Sequence, residues 1–231
     1  MKRIGIIVFP GTNCDRDVFH VLSDVLHLQA DYVWHNKRTL RDYAGLILPG
    51  GFSYGDRLRA GVIAAHSPVI SEVKRMASDG IPVLGICNGF QILIESGLLP
   101  GALVKNEELS FICKWVEATV ENERTPFTNL FEKNQKVKIP IAHGEGRYVA
   151  DSLTIKKLRE KNQIVLRYAD ANPNGSVESI AAICNVEGNI LGMMPHPERA
   201  SEEILSPTAN SLDGSMIFRS LIRYLGEEYL A

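Results

Sequence analysis

The sequence predicts an α/β protein: a mostly parallel, doubly wound central sheet with flanking helices and an additional antiparallel strand region. Three observations predict it. Short continuous apolar runs, such as Ile4–Phe9 and Ile81–Ile86, have the character of strands buried on both faces. Stretches with helical spacing separate these runs. Beyond about residue 110, strands joined by polar loops and turn signals replace the alternation.

Taken in order, Ile4–Phe9 is the first strand and residues 15–28 the first helix, with Val18, Val21, Leu22, Val25 and Leu26 on one face. Asp31–His35 and Gly45–Leu48 read as strands, the latter ending in Pro49-Gly50-Gly51. A helix follows at Pro68–Ser78, a strand at Ile81–Ile86 and a further helix from Phe90 to Glu95. Strand and helix in alternation imply parallel pairing. Phe111–Val120, Lys136–Ala142 and Ile164–Ala169 then read as strands. Asn172-Pro173-Asn174-Gly175 is a turn. Ser179–Asn185 and Ile190–Met194 form a hairpin around Glu187-Gly188-Asn189. An amphipathic helix near Ser211–Leu225 closes the chain. With no repeat, low-complexity segment or linker, residues 1–231 read as a single domain.

A net charge of −2 and a pI near 6.3 argue against nucleic acid and anionic membrane surfaces as partners. The one basic cluster, Lys156–Lys161, contains Glu160 and reads as a solvated helix face. No apolar run reaches the roughly 18 residues of a membrane span. The N-terminal run is too short for a secretory signal, so a cytoplasmic location is expected. The four cysteines, Cys14, Cys87, Cys113 and Cys184, form no CxxC pair and have no zinc-ligand spacing; no metal site is expected. Phosphate-loop and dinucleotide fingerprints are absent, so ATP is not expected on this chain through a familiar loop.

Cys87 has an unusual setting. It follows a buried strand, precedes a helix and lies between Gly85 and Gly89. That is the context of a nucleophile elbow, with cysteine in place of serine. Small neighbours at −2 and +2 remove side chains that would collide at a sharp turn. The helix N-terminus favours an anion there, and the Asn88 N–H would face a developing oxyanion. A buried structural cysteine is the alternative, and it is the reading for Cys14, Cys113 and Cys184.

A thiol nucleophile needs a base and a group to orient that base. His20 and His27 fall on the first helix, while His35 and His66 have no acid at useful spacing. His143, in Ile141–Gly146, and His196, in Met194–Arg199, remain. Pro195 and Pro197 hold the second segment extended. His196 and Glu198 then project to one side, with the carboxylate placed to hold the imidazole. An incidental His–Glu pair in a proline-rich loop is the alternative. Gly50 and Gly51 end the third strand and would let a backbone N–H approach a substrate.

Gly85-Ile86-Cys87-Asn88-Gly89-Phe90-Gln91 and His196-Pro197-Glu198 resemble the two signature elements of class I, triad-type glutamine amidotransferases. PGTNCDRD, PGGFSYGD, GICNGFQILIESGLLPGAL, PIAHGEGRY, NPNGS and GMMPHPERA together resemble the glutaminase subunits of phosphoribosylformylglycinamidine synthases. These segments run in order from Pro10 to Ala200. The resemblance implies a flavodoxin-like fold and an enzyme that hydrolyses L-glutamine to glutamate and ammonia in purine biosynthesis. It gives Cys87 the role of nucleophile, His196 that of base and acid, and Glu198 that of orienting His196. It places the oxyanion at the N–H groups of Gly51 and Asn88, beside Gly50, and glutamine against Gln91, His143 and Gly144. It implies no cofactor on this chain: ATP, Mg and formylglycinamide ribonucleotide bind a large synthetase partner, and a small third subunit is required too. One departure stands out, Arg57 where the family pattern suggests an aromatic residue. A class I glutaminase serving another ATP-dependent synthetase is the alternative.

Overall fold

In a computed structural model of the chain, which describes residues 2–207 and 212–226, the first apolar run is β1 (Arg3–Val8). α1 (Asp15–His20) follows and passes into a π-helical turn at Val21–Val25. The predicted helix over 15–28 is therefore shorter. His27, at φ 55°, lies beyond it in the turn and not on a helix face with His20. β2 (Gln29–Trp34), β3 (Gly45–Leu48), α2 (Pro68–Ser78), β4 (Val83–Ile86) and α3 (Asn88–Glu95) complete the alternating half. α2 begins with proline at its first position, where no N–H is needed, and buries Val69, Ile70, Val73 and Met76.

The second half holds β5 (Ala102–Val104), β6 (Ile112–Val120), β7 (Lys136–His143), β8 (Arg147–Val149), α4 (Ser152–Glu160), β9 (Ile164–Tyr168), β10 (Ile180–Cys184), β11 (Ile190–Met193) and α5 (Asp213–Leu225). Ser211, the expected start of the closing helix, lies outside the described residues. Asp151 caps α4 through its side chain, accepting from the Thr154 N–H at 2.7 Å. The basic cluster expected at Lys156–Lys161 lies on this helix and its C-cap, with Lys156, Lys157, Arg159 and Lys161 exposed and Leu158 turned into the core.

One nine-stranded sheet runs β2-β1-β3-β4-β11-β10-β9-β6-β7. The first five strands are mutually parallel and the last four pairings are antiparallel. The antiparallel region is thus continuous with the parallel one. A separate two-stranded sheet pairs β5 with β8. Every residue of β3, β4, β10 and β11 is buried, as runs without polar alternation require. α5 buries Ile217, Phe218, Leu221 and Ile222 into the same core and ends at Gly226, a left-handed cap. Among the described residues no helix is long and apolar enough to cross a membrane.

The register positions the site. β3, β4 and β11 lie side by side and parallel, with Leu48 opposite Gly85 and Ile86 opposite Met193. Their carboxyl ends therefore deliver Gly50-Gly51, Cys87 and the segment leading to His196 to one edge. Crevices at such strand ends are where open α/β sheets bind ligands.

Candidate active site

Cys87 is the N-cap of α3 at φ 49° and ψ −103°, a conformation that costs a non-glycine residue energy. Its N–H donates to Met193 O at 2.8 Å and its carbonyl accepts from Gln91 N at 3.1 Å. The strain is thus held by bonds to the adjacent strand and to the helix. Close packing forces the flanking glycines. A Cβ on Gly89 would lie 1.9 Å from Leu48 O, and one on Gly85 would lie 2.5 Å from the Leu93 side chain. α3 is pressed directly onto β3 and β4, which fixes where the thiol emerges.

His196 and Glu198 are both buried, and His196 Nδ1 lies 2.6 Å from Glu198 Oε1. The pairing arises differently from the expected extended segment. His196 is non-helical, at φ −101° and ψ 89°, and Pro197 starts a 3₁₀ turn at Pro197–Ala200 that places Glu198 in its first turn. The His196 N–H donates to Pro140 O at 2.8 Å. Burial opposes a charged imidazole here. Attraction to Glu198 and Cys87 outweighs it and holds His196 well above the usual histidine value. His196 Nε2 is buried and forms no well-aligned hydrogen bond; the thiols of Cys87 and Cys14 are the groups that favour a proton on it.

That cavity, about 410 Å³, is lined by Cys14, Gly51, Asp56, Cys87, Gln91, His143, Gly144, Glu145, His196 and Arg199, among others. Gly51, at φ 148°, packs so tightly on Thr12 and Asn13 that a Cβ would come within 2.8 Å of their backbone. Gly50 packs against the His196 ring, where a Cβ would lie 2.8 Å from Cε1. The Asn88 N–H is in the first turn of α3, without an intrahelical acceptor.

Gln91 and Asn88 brace the wall. The Asn88 side chain accepts from Ser53 N at 3.0 Å and donates to Gln91 Oε1 at 2.8 Å. Gln91 Nε2 donates to Glu145 O at 2.7 Å. Gln91 thus lines the cavity with its amide already engaged. Asn106 Nδ2 donates to Ser110 O and His143 O, so its Oδ1 accepts from His143 Nδ1 at 3.0 Å. That network puts the imidazole proton on Nδ1. Burial, then the charge of His196, pushes His143 down to about 4, leaving Nε2 as a buried, unpartnered acceptor.

Of the three cysteines read as buried and structural, Cys14 and Cys184 are buried and Cys113 is not. Cys14 is buried in the cavity wall, where its Sγ accepts from Arg199 Nη2 at 3.2 Å. Cys113 is exposed and lines the cavity mouth. Cys184 is a buried structural thiol, which burial pushes up to about 12. Cys14, His196 and Glu198 offer donor atoms within 4.8 Å of one another, the one such group among the described residues. The Arg199 guanidinium beside them opposes a second cation. Asp56 and Glu145, in the same wall, were not singled out by sequence; their signal was only their place within PGGFSYGD and PIAHGEGRY.

A family model described as a CobB/CobQ-like glutamine amidotransferase domain matches residues 1–225. The structure of PurLQS from Thermotoga maritima contains a chain 48% identical to this one, aligned over 97% of this chain and 99% of that one, with a TM-score of 0.87. A glutamine amidotransferase from Thermotoga maritima is 16% identical, over 97% and 98%, at a TM-score of 0.62. The glutaminase domain of Trypanosoma brucei CTPS, solved with bound acivicin, is 15% identical over 100% and 96%, at 0.62. The last two likenesses concern the fold.

Proposed function

The chain belongs to the family of CobB/CobQ-like glutamine amidotransferases, and from that premise we propose that it is the glutaminase subunit of a phosphoribosylformylglycinamidine synthase. One observation carries the chemistry: a strained, cavity-facing Cys87 shares its cavity with a buried His196–Glu198 pair whose Nε2 makes no well-aligned hydrogen bond. The 48% identity to a chain of PurLQS over nearly full length on both sides supports the choice of synthetase.

The reaction follows from these groups. His196 Nε2 takes the Cys87 proton, and the thiolate attacks the carboxamide carbon of L-glutamine. The Glu198 carboxylate stabilises the imidazolium and fixes the ring so that Nε2 faces the thiol. The tetrahedral oxyanion is held by the N–H groups of Gly51 and Asn88. His196 then protonates the departing nitrogen, which leaves as ammonia, and a glutamyl thioester remains on Cys87. Water, deprotonated by His196, attacks the thioester. Glutamate departs and the thiol is restored. Gly50 supports the His196 ring, and the segment His143–Glu145 meets the α-end of glutamine.

Ammonia passes to a large synthetase subunit, which binds ATP, Mg and formylglycinamide ribonucleotide; a small third subunit completes the complex. The chain itself carries no cofactor, works as one domain over 1–231 and acts in the cytoplasm. The test is Cys87→Ala in the assembled complex. It should abolish glutamine-dependent amidation while added ammonia still supports synthesis. Loss of both activities contradicts the proposal.

A further inference from the structure

We propose that Asn88 acts through its side chain as a positioning residue: it grips the loop that carries one oxyanion donor, while its own backbone carries the other. This rests on the glutaminase reading and adds to it how the spacing of the two donors is set.

The donors lie on separate elements. The Asn88 N–H opens α3, and the Gly51 N–H lies in the loop after β3. On one side that loop is tied to the turn after β1. Thr12 bridges Gly51, and Phe52 N donates to Gly11 O at 3.0 Å. Beyond Gly51 the backbone is strained. Tyr54, Gly55 and Asp56 have φ of 55°, 69° and 50°, and Leu58 follows at 70°. Such a left-handed run costs energy at each non-glycine residue, so it persists only where contacts hold it. The Tyr54 hydroxyl supplies one set of contacts, to His35 Nδ1 and Ser67 Oγ. The Asn88 side chain supplies another. Its Oδ1 accepts from Ser53 N at 3.0 Å and its Nδ2 donates to Asp56 Oδ1 at 3.3 Å, so the two bonds bracket the strained turn. Nδ2 also donates to Gln91 Oε1 at 2.8 Å, which anchors the amide along α3.

The inventory is that of asparagine. Asn88 is fully buried, and its amide offers an acceptor to a backbone N–H and donors to two oxygens. A leucine of similar volume would bury the Ser53 N–H without an acceptor. An aspartate would keep that acceptor but set a second carboxylate against Asp56. Donors stabilise an oxyanion only when both reach about 2.7–3.1 Å from where its oxygen forms. The side chain of the residue that carries one donor therefore sets how far the other lies from α3.

The experiment places Asn88→Ala and Asn88→Asp in the assembled complex. It measures glutamine kcat and KM, ammonia-dependent synthesis, and the rate at which iodoacetamide alkylates Cys87, read by peptide mapping. Asn88→Ala should lower kcat about tenfold to a hundredfold, less than outright loss of a donor. KM should stay within about threefold and alkylation within about twofold, with ammonia-dependent synthesis unchanged. Asn88→Asp keeps the shape and adds a readout that packing alone would not move. Its carboxylate would meet Asp56, whose charge in turn feels Glu145. Two carboxylates in contact share a proton as pH falls. The kcat deficit relative to wild type should therefore shrink at least about threefold between about pH 8 and pH 6. A loss in KM alone, an unchanged kcat, alkylation that falls in step with kcat, or a pH-independent deficit in Asn88→Asp would overturn the proposal. If Asn88→Ala also loses ammonia-dependent synthesis, the Asn88→Asp profile decides. A wild-type complex that releases no glutamate from glutamine would instead overturn the glutaminase reading.

Discussion

The two ends of the central sheet each carry a cavity and a buried cysteine, yet only one end is equipped for chemistry. At the carboxyl ends of β3, β4 and β11 lies the cavity of about 410 Å³ with Cys87. At the opposite end, a cleft of about 310 Å³ is lined by Glu121–Thr125, Lys161, Cys184 and Asn185–Gly188. Cys184 lies there at the end of β10, at 4.0 Å from Asn122 Nδ2 and from Asn162 O. Burial pushes its thiol up to about 12. Cys87 sits on a strained turn, and the groups around it, His196 Nε2 and His143 Nε2, are buried and make no well-aligned hydrogen bond. The difference teaches that concavity and a thiol are not sufficient. What marks the first cavity is a set of rigidly held polar groups, each with one valence left open toward shared space.

The largest test of this contrast exchanges the cysteines. Cys87→Ala should reduce glutamine turnover at least about 10⁴-fold. Cys184→Ala should leave turnover within about twofold and lower stability by about 1–2 kcal/mol through lost packing, read by urea unfolding. Glu198→Gln comes next. It keeps the shape but removes the anion beside His196, so kcat should fall by roughly 10²–10⁴ with little change in KM. A fall of less than about tenfold would show that Glu198 only packs against the ring.

Gly89→Ala probes the pressure that shapes the Cys87 turn. Its Cβ would meet Leu48 O at 1.9 Å, so α3 must shift. A stability loss of about 3 kcal/mol is expected, with glutamine turnover falling in step while ammonia-dependent synthesis survives.

The effect with least bearing on turnover is on the pH dependence of stability. His143 titrates near 6.5 in the unfolded chain and near 4 when folded. Between those values the unfolded state binds more protons, so stability rises with pH in that window and is lost as pH falls from about 6.5 to 4. The full contribution is about 3 kcal/mol. His143→Asn should flatten that part of the profile in denaturant titrations at successive pH values. An unchanged slope would place the proton elsewhere.

Much of this was legible in the sequence, for physical reasons that also explain the misses. β3, β4 and α2 are readable because burial on both strand faces, or on one helix face, leaves an unbroken pattern. The Cys87 setting is readable because steric crowding forces Gly85 and Gly89. β5 and β8 are not, since three residues are too few to show alternation. The π turn at Val21–Val25 keeps helical apolar spacing and so hides within α1. The triad came from local segments, His196-Pro197-Glu198 and the turn around Cys87. Cys14, Asp56 and Glu145 reach the cavity only through tertiary packing of separate loops, which no local spacing encodes.

The most direct test of the central claim is peptide-mapped labelling by an electrophilic glutamine analogue, with and without glutamine, in the assembled complex. The account predicts a single adduct on Cys87, suppressed by glutamine, with Cys14, Cys113 and Cys184 unlabelled. An adduct on another cysteine, or labelling of Cys87 that glutamine does not suppress, would contradict it.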